Sequence, residues 1–450
     1  MIVPRPRLLV WTAALAVPFA TLAAAVPGAA GVSALVVAVF LAVILADAFL
    51  SRGVFAGITV EMPAVVRLFK DREGVVALQL VNLSQEIRHV RVGLPFPATI
   101  IPVGEDLRAV LPAGAERSRL AWRCTPGRRG NYLLEKYYLE MESAWGFWAI
   151  RGSGPVRSEI RVYPDLQRER KSVAAIFLNR GSFGGHAVRQ VGKGRDFEKL
   201  RDYIPGDSFD EIHWKATGKR GRPVTKIFQI ERTQEVYVIL DASRLSARVM
   251  APAATVPGAL PEPPVLDRFI SSALVLCLAA ERQGDLFGLV TFSDAIHQFV
   301  RAKKGQNHFG VCRDALYTLQ PRSVTPDFEE LFGFIRTRLR RRALLVILTA
   351  LDDPVLAENF LRHVGLLSRQ HLLLVNMVRP PGIGPLFSNA EVETPEDVRR
   401  ALGGHMRWQD LREIEQQMQH RGAKFSLLEN ERLTADLVSQ YVSVKQRQLI

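Results

Sequence analysis

Residues 235–243 read EVYVILDAS, and this stretch decides the fold. Its centre, residues 236–240, is an uninterrupted apolar run that ends at Asp241, Ala242 and Ser243. A short run that is apolar on both of its faces is typical of a buried parallel strand. In α/β proteins, binding sites usually lie at the carboxyl ends of such strands. The sequence therefore predicts an α/β domain with a candidate site beside Asp241.

The chain after this run alternates between strand-length apolar runs and longer segments with a helical period. Further strands are predicted at residues 286–292, 297–302, 343–349 and 372–378. Helices are predicted at residues 267–283, 307–319, 327–341, 355–368 and 396–422. This alternation predicts a doubly wound α/β domain over residues 235–450. A Pro/Ala-rich insertion, residues 252–264, separates the first strand from its helix, and we interpret it as a surface insertion or a flap.

The segment before residue 166 has a different pattern. Short apolar runs separated by Pro and Gly predict a small antiparallel β-sandwich over residues 53–165. The cluster Trp145-Gly146-Phe147-Trp148 is expected to form an aromatic corner of the sandwich core, and a binding platform is the alternative. Residues 166–234 then connect this domain to the α/β domain.

Two apolar stretches, residues 8–26 and 32–50, precede the sandwich. At ~1.5 Å per helical residue each reaches ~28 Å, close to the ~30 Å hydrocarbon thickness of a bilayer. Residues 1–52 are therefore predicted to form a two-helix transmembrane hairpin in the cell inner membrane. A signal peptide is the alternative, but its removal would leave the second span. Arg5, Arg7 and Arg52 flank the spans and predict that both termini and the soluble body are cytoplasmic. Asp47 is expected to reach the interface, with a buried relay carboxylate as the alternative.

The chain carries 59 Lys and Arg against 45 Asp and Glu, a formal net charge of +14. This excess suits nucleic acid, an anionic membrane surface or an acidic protein, and its spread over the whole chain does not choose between them. Three widely separated cysteines without a CxxC spacing argue against a zinc or redox motif. The densest basic group is expected to end a helix; it comprises Arg336, Arg338, Arg340, Arg341 and Arg342.

The connection contains a dense motif, GKGRDFEKLRDYIPGD at residues 192–207, followed by IHWK at residues 212–215. The pattern resembles a widespread prokaryotic family of membrane-anchored proteins, long catalogued as a domain of unknown function, whose members accompany MoxR-type AAA+ ATPases. The resemblance is carried by Gly192, Gly194, Phe197, Leu200, Arg201, Tyr203, Gly206, Asp207, Ile212, Trp214, Lys215, Glu231 and Arg232. The chain departs from the family pattern at Asp210, at His213 and at Gly218-Lys219.

The resemblance implies a von Willebrand factor A-like α/β fold with a Mg²⁺ ion above the strand ends. Its ligands in this sequence would be Asp241, Ser243, Ser246, Thr325 and Asp352. Two positions depart from the family pattern, because Leu245 stands where a serine is expected and Ala350 stands at the usual aspartate. A strand end held by the hydrogen bonds of Asp241, without an ion, is the alternative.

The sequence is compatible with three functions. The resemblance implies a non-enzymatic, membrane-anchored interaction protein that works with a MoxR-type AAA+ ATPase in the assembly or maturation of other protein complexes. The first alternative is a hydrolase that uses His213, Asp207 and Asp210, although no GxSxG, HExxH or P-loop motif accompanies them. The second is a non-specific binder of nucleic acid or anionic lipid. No motif for specific nucleic-acid recognition is present.

Overall fold

The computed structural model describes most of the chain, and it divides into two compact units, Met1–Asp165 and Leu166–Ile450. The described residues are 1–83, 88–112, 114, 116–167, 169, 191–204, 209–229, 234–249, 263–386 and 394–447. Four motif residues, Gly206, Asp207, Glu231 and Arg232, lie outside the described residues, as does most of the predicted insertion at residues 252–264.

Two long apolar helices open the first unit, α1 (Pro6–Ala25) and α2 (Ala30–Leu50). Both are long and apolar enough to cross a membrane, and their bounds lie close to the two predicted spans. The strand before them, β1 (Ile2–Pro4), pairs antiparallel with β10 (Trp148–Tyr163). The chain thus enters the hairpin from the β-rich part of this unit and returns to it, as expected when both ends of a hairpin lie on one side.

The rest of the first unit is built from strands. Between β1 and β10 they are β2 (Ile58–Glu61), β3 (Val65–Phe69), β4 (Gly74–Asn82), β5 (Arg88–Gly93), β6 (Ile100–Pro102), β7 (Leu107–Leu111), β8 (Arg117–Pro126) and β9 (Gly130–Glu142). One sheet has the order β1-β10-β9-β5-β7, with β3 beside β10, and the other has the order β2-β4-β8-β6. Buried side chains from both sheets, among them Leu78, Trp122, Leu139 and Ile160, form one apolar cluster.

The second unit contains a six-stranded sheet in the order β15-β14-β13-β16-β17-β18. Its strands are β13 (Glu235–Asp241), β14 (Leu286–Phe292), β15 (Ile296–Lys303), β16 (Leu344–Leu348), β17 (Leu372–Val378) and β18 (Ala423–Leu428). All neighbouring pairs are parallel except β14 and β15. The α/β prediction for this part of the chain is therefore confirmed.

Helices cover both faces of this sheet. They are α4 (Val265–Arg282), α5 (Gln306–Leu316), α6 (Phe328–Arg338), α7 (Pro354–Leu367), α8 (Pro395–His420) and α9 (Leu433–Gln446), and α3 (Trp214–Arg220) precedes them. Val236, Val238 and Leu240 of β13 pack with α4 and α9, whereas Tyr237 and Ile239 pack with α6, α7 and α8. Successive side chains of β13 point to opposite faces of the sheet, so the core consists of two apolar layers, one on each face.

The prediction from the sequence was wrong about parts of this unit. It did not predict β18 or α9, which complete the sheet and one of its helix layers. It also placed the whole arginine group at a helix end, whereas α6 ends at Arg338. The next residue, Leu339, is buried in the core and carries the chain out of the helix toward β16. Arg340, Arg341 and Arg342 therefore lie in the connection.

A buried polar network holds α9 against the sheet. The carboxylate of Asp285, just before β14, accepts hydrogen bonds from the Tyr441 hydroxyl and, at 2.8 Å, from Nζ of Lys445. Its other oxygen accepts from the main-chain N–H of Gln234 at 3.2 Å. Asp285 is buried, so this carboxylate is satisfied by a cation and two neutral donors rather than by water.

Candidate functional site

Asp241, the last residue of β13, is fully buried at the carboxyl end of the sheet. Its Oδ1 accepts a hydrogen bond from the main-chain N–H of Ser243 at 2.8 Å, and its Oδ2 accepts from Oγ1 of Thr349 at 2.6 Å. Burial raises the pKa of the Asp241 carboxyl, and the hydrogen bonds from Ser243 and Thr349 oppose this rise. Since Thr349 follows β16, the carboxylate ties the ends of two adjacent strands together.

The turn after Asp241 uses its hydroxyl groups internally. Oγ of Ser243 accepts from the N–H of Leu245 at 3.3 Å, and the hydroxyl of Ser246 donates to the carbonyl of Ser243 at 2.9 Å. Leu245, at the position where the family pattern has a serine, is buried in the apolar layer of α6 and α7. The substitution thus replaces a polar group above the strands by a core contact.

Two arginines form the rim of this strand end. Arg244 lies with Nε at 3.4 Å from Oγ1 of Thr325 and with Nη2 at 3.6 Å from the carboxylate of Asp353. Arg248 forms an ion pair with the carboxylate of Asp352. Two of the predicted ion ligands, Thr325 and Asp352, are therefore in contact with guanidinium groups.

These contacts bear on the predicted Mg²⁺ site. Of the five predicted ligand residues, Asp241, Ser243 and Ser246 are joined through hydrogen bonds of the turn, while Thr325 and Asp352 contact Arg244 and Arg248. Within the described residues, no group of three or more His, Cys, Asp or Glu side chains could hold a metal ion. Mg²⁺ requires near-octahedral oxygen coordination. The predicted ligand set does not fit this requirement, because the two serine hydroxyls are used in the turn and guanidinium groups contact Thr325 and Asp352.

A serine, a histidine and an aspartate that the sequence analysis did not single out lie at the end of β14. Oγ of Ser293 is 2.6 Å from Nε2 of His297, and the same hydroxyl donates to Oδ1 of Asp294 at 2.6 Å. The Ser293 hydroxyl thus lies between Asp294 and Nε2 of His297, and that nitrogen also lies 3.5 Å from Nη1 of Arg322. Ser293 is also fully buried. The group therefore closes the β14–β15 turn rather than forming a nucleophile.

The cavity beside Asp241 is small. It measures about 60 Å³ and lies among Ser246, Arg248, Phe269, Thr349 and Met377. Substrate pockets typically enclose ~300–1,000 Å³. The described part of this strand end therefore offers a polar rim, with little room for a bound small molecule.

The family motif forms a separate small hairpin. Its strands, β11 (Val191–Asp202) and β12 (Val224–Gln229), pair antiparallel, with Arg201 opposite Thr225, and α3 lies between them. Gly192, Gly194, Phe197 and Leu200 lie on β11. His213 precedes α3, and its Nδ1 accepts the N–H of Ala216 at 3.0 Å. This contact caps the helix.

Large apolar side chains are exposed on this hairpin. Ile204 is 56%, Phe209 73% and Trp214 68% exposed, and Tyr203 stacks on Phe209 with ring centroids 6.2 Å apart. Lys215 is exposed beside Trp214, and exposed cations follow at Lys219, Arg220 and Arg222. Exposed apolar clusters rimmed by polar residues are typical of interaction sites. The sequence predicted only a connection over residues 166–234, although the mixture of aromatic and basic residues was visible in it.

A family model described as "Protein of unknown function DUF58" matches residues 199–386. This stretch is similar to the DUF58 family. The resemblance to a family of unknown function, inferred from the motif, is thereby confirmed. The matched stretch begins on β11, contains the exposed part of the motif hairpin, and continues through the strand end at Asp241 to residue 386. Among curated proteins, none matches the sequence.

Three solved structures are among those similar to the chain. The conserved hypothetical protein BatB from Bacteroides thetaiotaomicron is 16% identical, with coverage of 48% of this chain and 99% of that one and a TM-score of 0.30. An aerotolerance-related membrane protein from Bacteroides fragilis NCTC 9343 is 13% identical, with coverage of 46% and 97% and a TM-score of 0.28. The SpRpn10 VWA domain is 11% identical, with coverage of 46% and 95% and a TM-score of 0.28. At such TM-scores these similarities carry no conclusion about this chain.

Outside the stretch that matches the family model, Asp47 and the aromatic corner differ from their predicted environments. Asp47 is fully buried, and its carboxylate accepts from the Ser143 hydroxyl at 2.6 Å and from the N–H of Trp145 at 3.0 Å. Nε1 of Trp148 donates to the carbonyl of Ile44 at 3.0 Å. The expected interfacial carboxylate is thus a fixed contact between α2 and the corner. Phe147 and Trp148 pack with apolar residues of α1 and α2 rather than inside the strand core. These contacts hold the corner against the two helices.

Proposed function

We propose that this chain is a membrane-anchored, non-enzymatic protein-interaction module with a von Willebrand factor A-like α/β domain. It is held in the cell inner membrane by two spans, with both termini and the soluble body in the cytoplasm. It works with a MoxR-type AAA+ ATPase in the assembly or maturation of other protein complexes. The observation that carries this proposal is the exposed cluster of Ile204, Phe209 and Trp214 on the motif hairpin.

The chemistry of this cluster supports contact with a protein. Trp and Phe side chains bury a large area on association, and they are common anchors at the centre of protein interfaces. Lys215 beside Trp214 adds positive charge, which would favour an acidic surface on the partner. The partnership with an AAA+ ATPase rests on the family resemblance.

The polar groups that could act in catalysis are used in hydrogen bonds within the fold, and this supports a non-enzymatic role. Both oxygens of Asp241 are used in hydrogen bonds that connect β13 to β16, and His213 caps α3. The hydroxyl of Ser293 is buried and donates to Asp294. Each of these groups serves the fold, so none of the three is left as a prepared nucleophile or base.

Co-purification tests the proposal. The full-length chain, extracted in mild detergent, should retain an AAA+ ATPase in the presence of ATP, ADP or a non-hydrolysable ATP analogue. Trp214→Ala and Phe209→Ala should reduce the amount retained, because they remove the exposed anchors. Val355→Ala, which changes an apolar residue that is 75% exposed on α7, is the control and should retain the ATPase. Recovery of no AAA+ protein under any nucleotide condition would contradict the proposal.

A further inference from the structure

Among the residues that the structure describes, the last strand of the α/β sheet has no neighbouring strand on its outer side. Within the described residues, β18 pairs only with β17, and the N–H of Arg379 donates to the carbonyl of Leu428 at 2.8 Å on that side. Along a strand, the main-chain groups of successive residues point to alternate sides. Since those of Leu428 point toward β17, those of Phe425 and Leu427 point away from it. This edge can therefore accept another strand.

A cavity of about 320 Å³ runs along this edge. It is lined by Lys424, Phe425, Ser426 and Leu427, four consecutive residues of β18. Successive side chains of a strand face opposite sides of the sheet, so a cavity on one face would contact only alternate residues. Contact with four in a row places the cavity at the main-chain edge. Helix α8 supplies the opposite wall.

The walls of this groove are cationic and aromatic. Arg379, Arg412 and Lys424 line it together with Trp408, and the Arg412 guanidinium lies 5.6 Å from the centroid of the Trp408 ring. Arg379 pairs with Glu429 at 2.7 Å and Arg412 pairs with Glu415 at 2.6 Å, and both pairs are partly exposed. Exposed ion pairs contribute little to stability, so carboxylates of a ligand can replace these partners.

We propose that an extended acidic segment of a partner protein adds to β18 as a seventh strand. Its main chain bonds to the outward groups of Phe425 and Leu427, and its carboxylates contact Arg379, Arg412 and Lys424. Alternate residues of a strand lie ~6.6 Å apart, so side chains at every second position face the α8 wall. Strand addition derives affinity from the main chain and specificity from alternate side chains. The groove is separate from the motif hairpin, so this proposal goes beyond the function proposed above.

The main-chain edge and the charge of the groove together indicate which class of molecule can bind. A lipid headgroup or a nucleic acid has no peptide groups with which to extend the ladder of hydrogen bonds. A second copy of the chain would bring the two Arg412 and Lys424 walls together, and juxtaposed like charges oppose association. An acidic peptide satisfies both the ladder and the charge.

Calorimetric titration of the full-length chain in detergent tests the proposal. The probe is the peptide acetyl-Glu-Val-Glu-Thr-Glu-Val-Glu-amide, and its lysine counterpart, with Lys in place of every Glu, should not bind. The double variant Arg412→Glu with Lys424→Glu should weaken binding of the acidic peptide roughly tenfold or more. Arg399→Glu, on the same helix but outside the lining of the groove, has a side chain that is 76% exposed and should bind normally.

A second probe separates strand addition from simple charge attraction. The same acidic peptide, N-methylated at alternate residues to block one edge, keeps its charge but loses its donors. Methylation on the edge that faces β18 should weaken binding roughly tenfold or more, and methylation on the other edge should not. Thermal unfolding of each protein variant confirms that the fold is kept. Failure of the unmethylated peptide to bind at millimolar concentration would overturn the proposal. So would equal binding to the charge-reversed variant, or equal binding of both methylated peptides.

Discussion

His371, immediately before β17, is 1% exposed, and neither ring nitrogen has a hydrogen-bond partner among the described residues. Burial lowers the pKa of this imidazole, so the folded chain takes up this proton only at a lower pH than the unfolded chain does. The unfolded chain takes up the proton near the ordinary pKa of ~6.5. Protonation of the unfolded state then favours unfolding. The contribution of His371 to stability is therefore complete above that pH and is lost as the pH falls below it.

We expect His371→Leu to reduce the loss of stability between neutral and mildly acidic pH. Urea unfolding of the second unit at pH 7.5 and pH 5.5 measures this difference. Some loss should remain, because burial and the nearby Arg322 also lower the pKa of His297. His363→Leu is the matched control on α7, since that histidine is not among the buried polar residues. An unchanged pH dependence in His371→Leu would contradict this account.

Asp241 provides a prediction about the strand end. Removal of its carboxylate in Asp241→Ala leaves the Thr349 hydroxyl and the Ser243 N–H without their acceptor, at a cost of ~1–3 kcal/mol in unfolding free energy. Since both oxygens are already used, millimolar Mg²⁺ should not shift the unfolding midpoint of the wild-type chain. Chemical unfolding with Mg²⁺ or with a chelator checks both statements. Stabilisation by Mg²⁺ that disappears in Asp241→Ala would support an ion at this site instead.

Sequence reasoning identified this strand end but not its contacts. The apolar run before Asp241 predicted the buried strand, and Leu245 and Ala350 marked the departures from the family pattern. The pairing of Arg248 with Asp352 could not be predicted, because the two residues are 104 positions apart and meet only when β13 and β16 lie side by side. The burial of Asp47 could not be predicted for the same reason, since its partner Ser143 is 96 positions away.

At the level of elements, α9 depends on the carboxylate of Asp285. Asp285→Ala would leave Lys445 and Tyr441 without this acceptor, and loss of one partner of a buried ion pair costs roughly 3–5 kcal/mol. We expect a value of about 3 kcal/mol, because the Lys445 side chain is 21% exposed and water can compensate in part. Denaturant unfolding measures the change. Glu358→Ala removes the exposed Glu358–Arg362 pair on α7 and should cost no more than ~0.5 kcal/mol. Similar losses in both variants would contradict the proposed anchoring.

Elements with a strong local signal were predicted well. β14 and β17 have the predicted bounds, and the ends of α4, α7 and α8 differ from prediction by two residues or fewer. α9 was missed although Leu433, Leu437 and Tyr441 have a helical spacing, so its signal was available. β1 was not predictable, since a strand of three residues acquires its partner only by pairing with β10.

At the level of the whole molecule, the orientation in the membrane is open to a direct test. The three native cysteines are buried, so a cysteine introduced at an exposed site can be labelled selectively. Val355→Cys should resist a membrane-impermeant maleimide in intact cells and react after permeabilisation, because the soluble body is proposed to be cytoplasmic. Labelling of cytoplasmic and external marker proteins controls for permeability. Reaction in intact cells would contradict the proposed orientation.

The central claim is that the motif hairpin contacts an AAA+ partner, and site-specific photo-crosslinking in cells tests it most directly. Benzoylphenylalanine is placed at position 214, where Trp214 is exposed on α3, and separately at position 355 on α7 as the control. Mass spectrometry identifies the crosslinked proteins after purification in detergent. The account predicts an AAA+ ATPase crosslinked from position 214 and not from position 355. Crosslinks from position 214 that contain no AAA+ protein, or equal crosslinking from both positions, would contradict it.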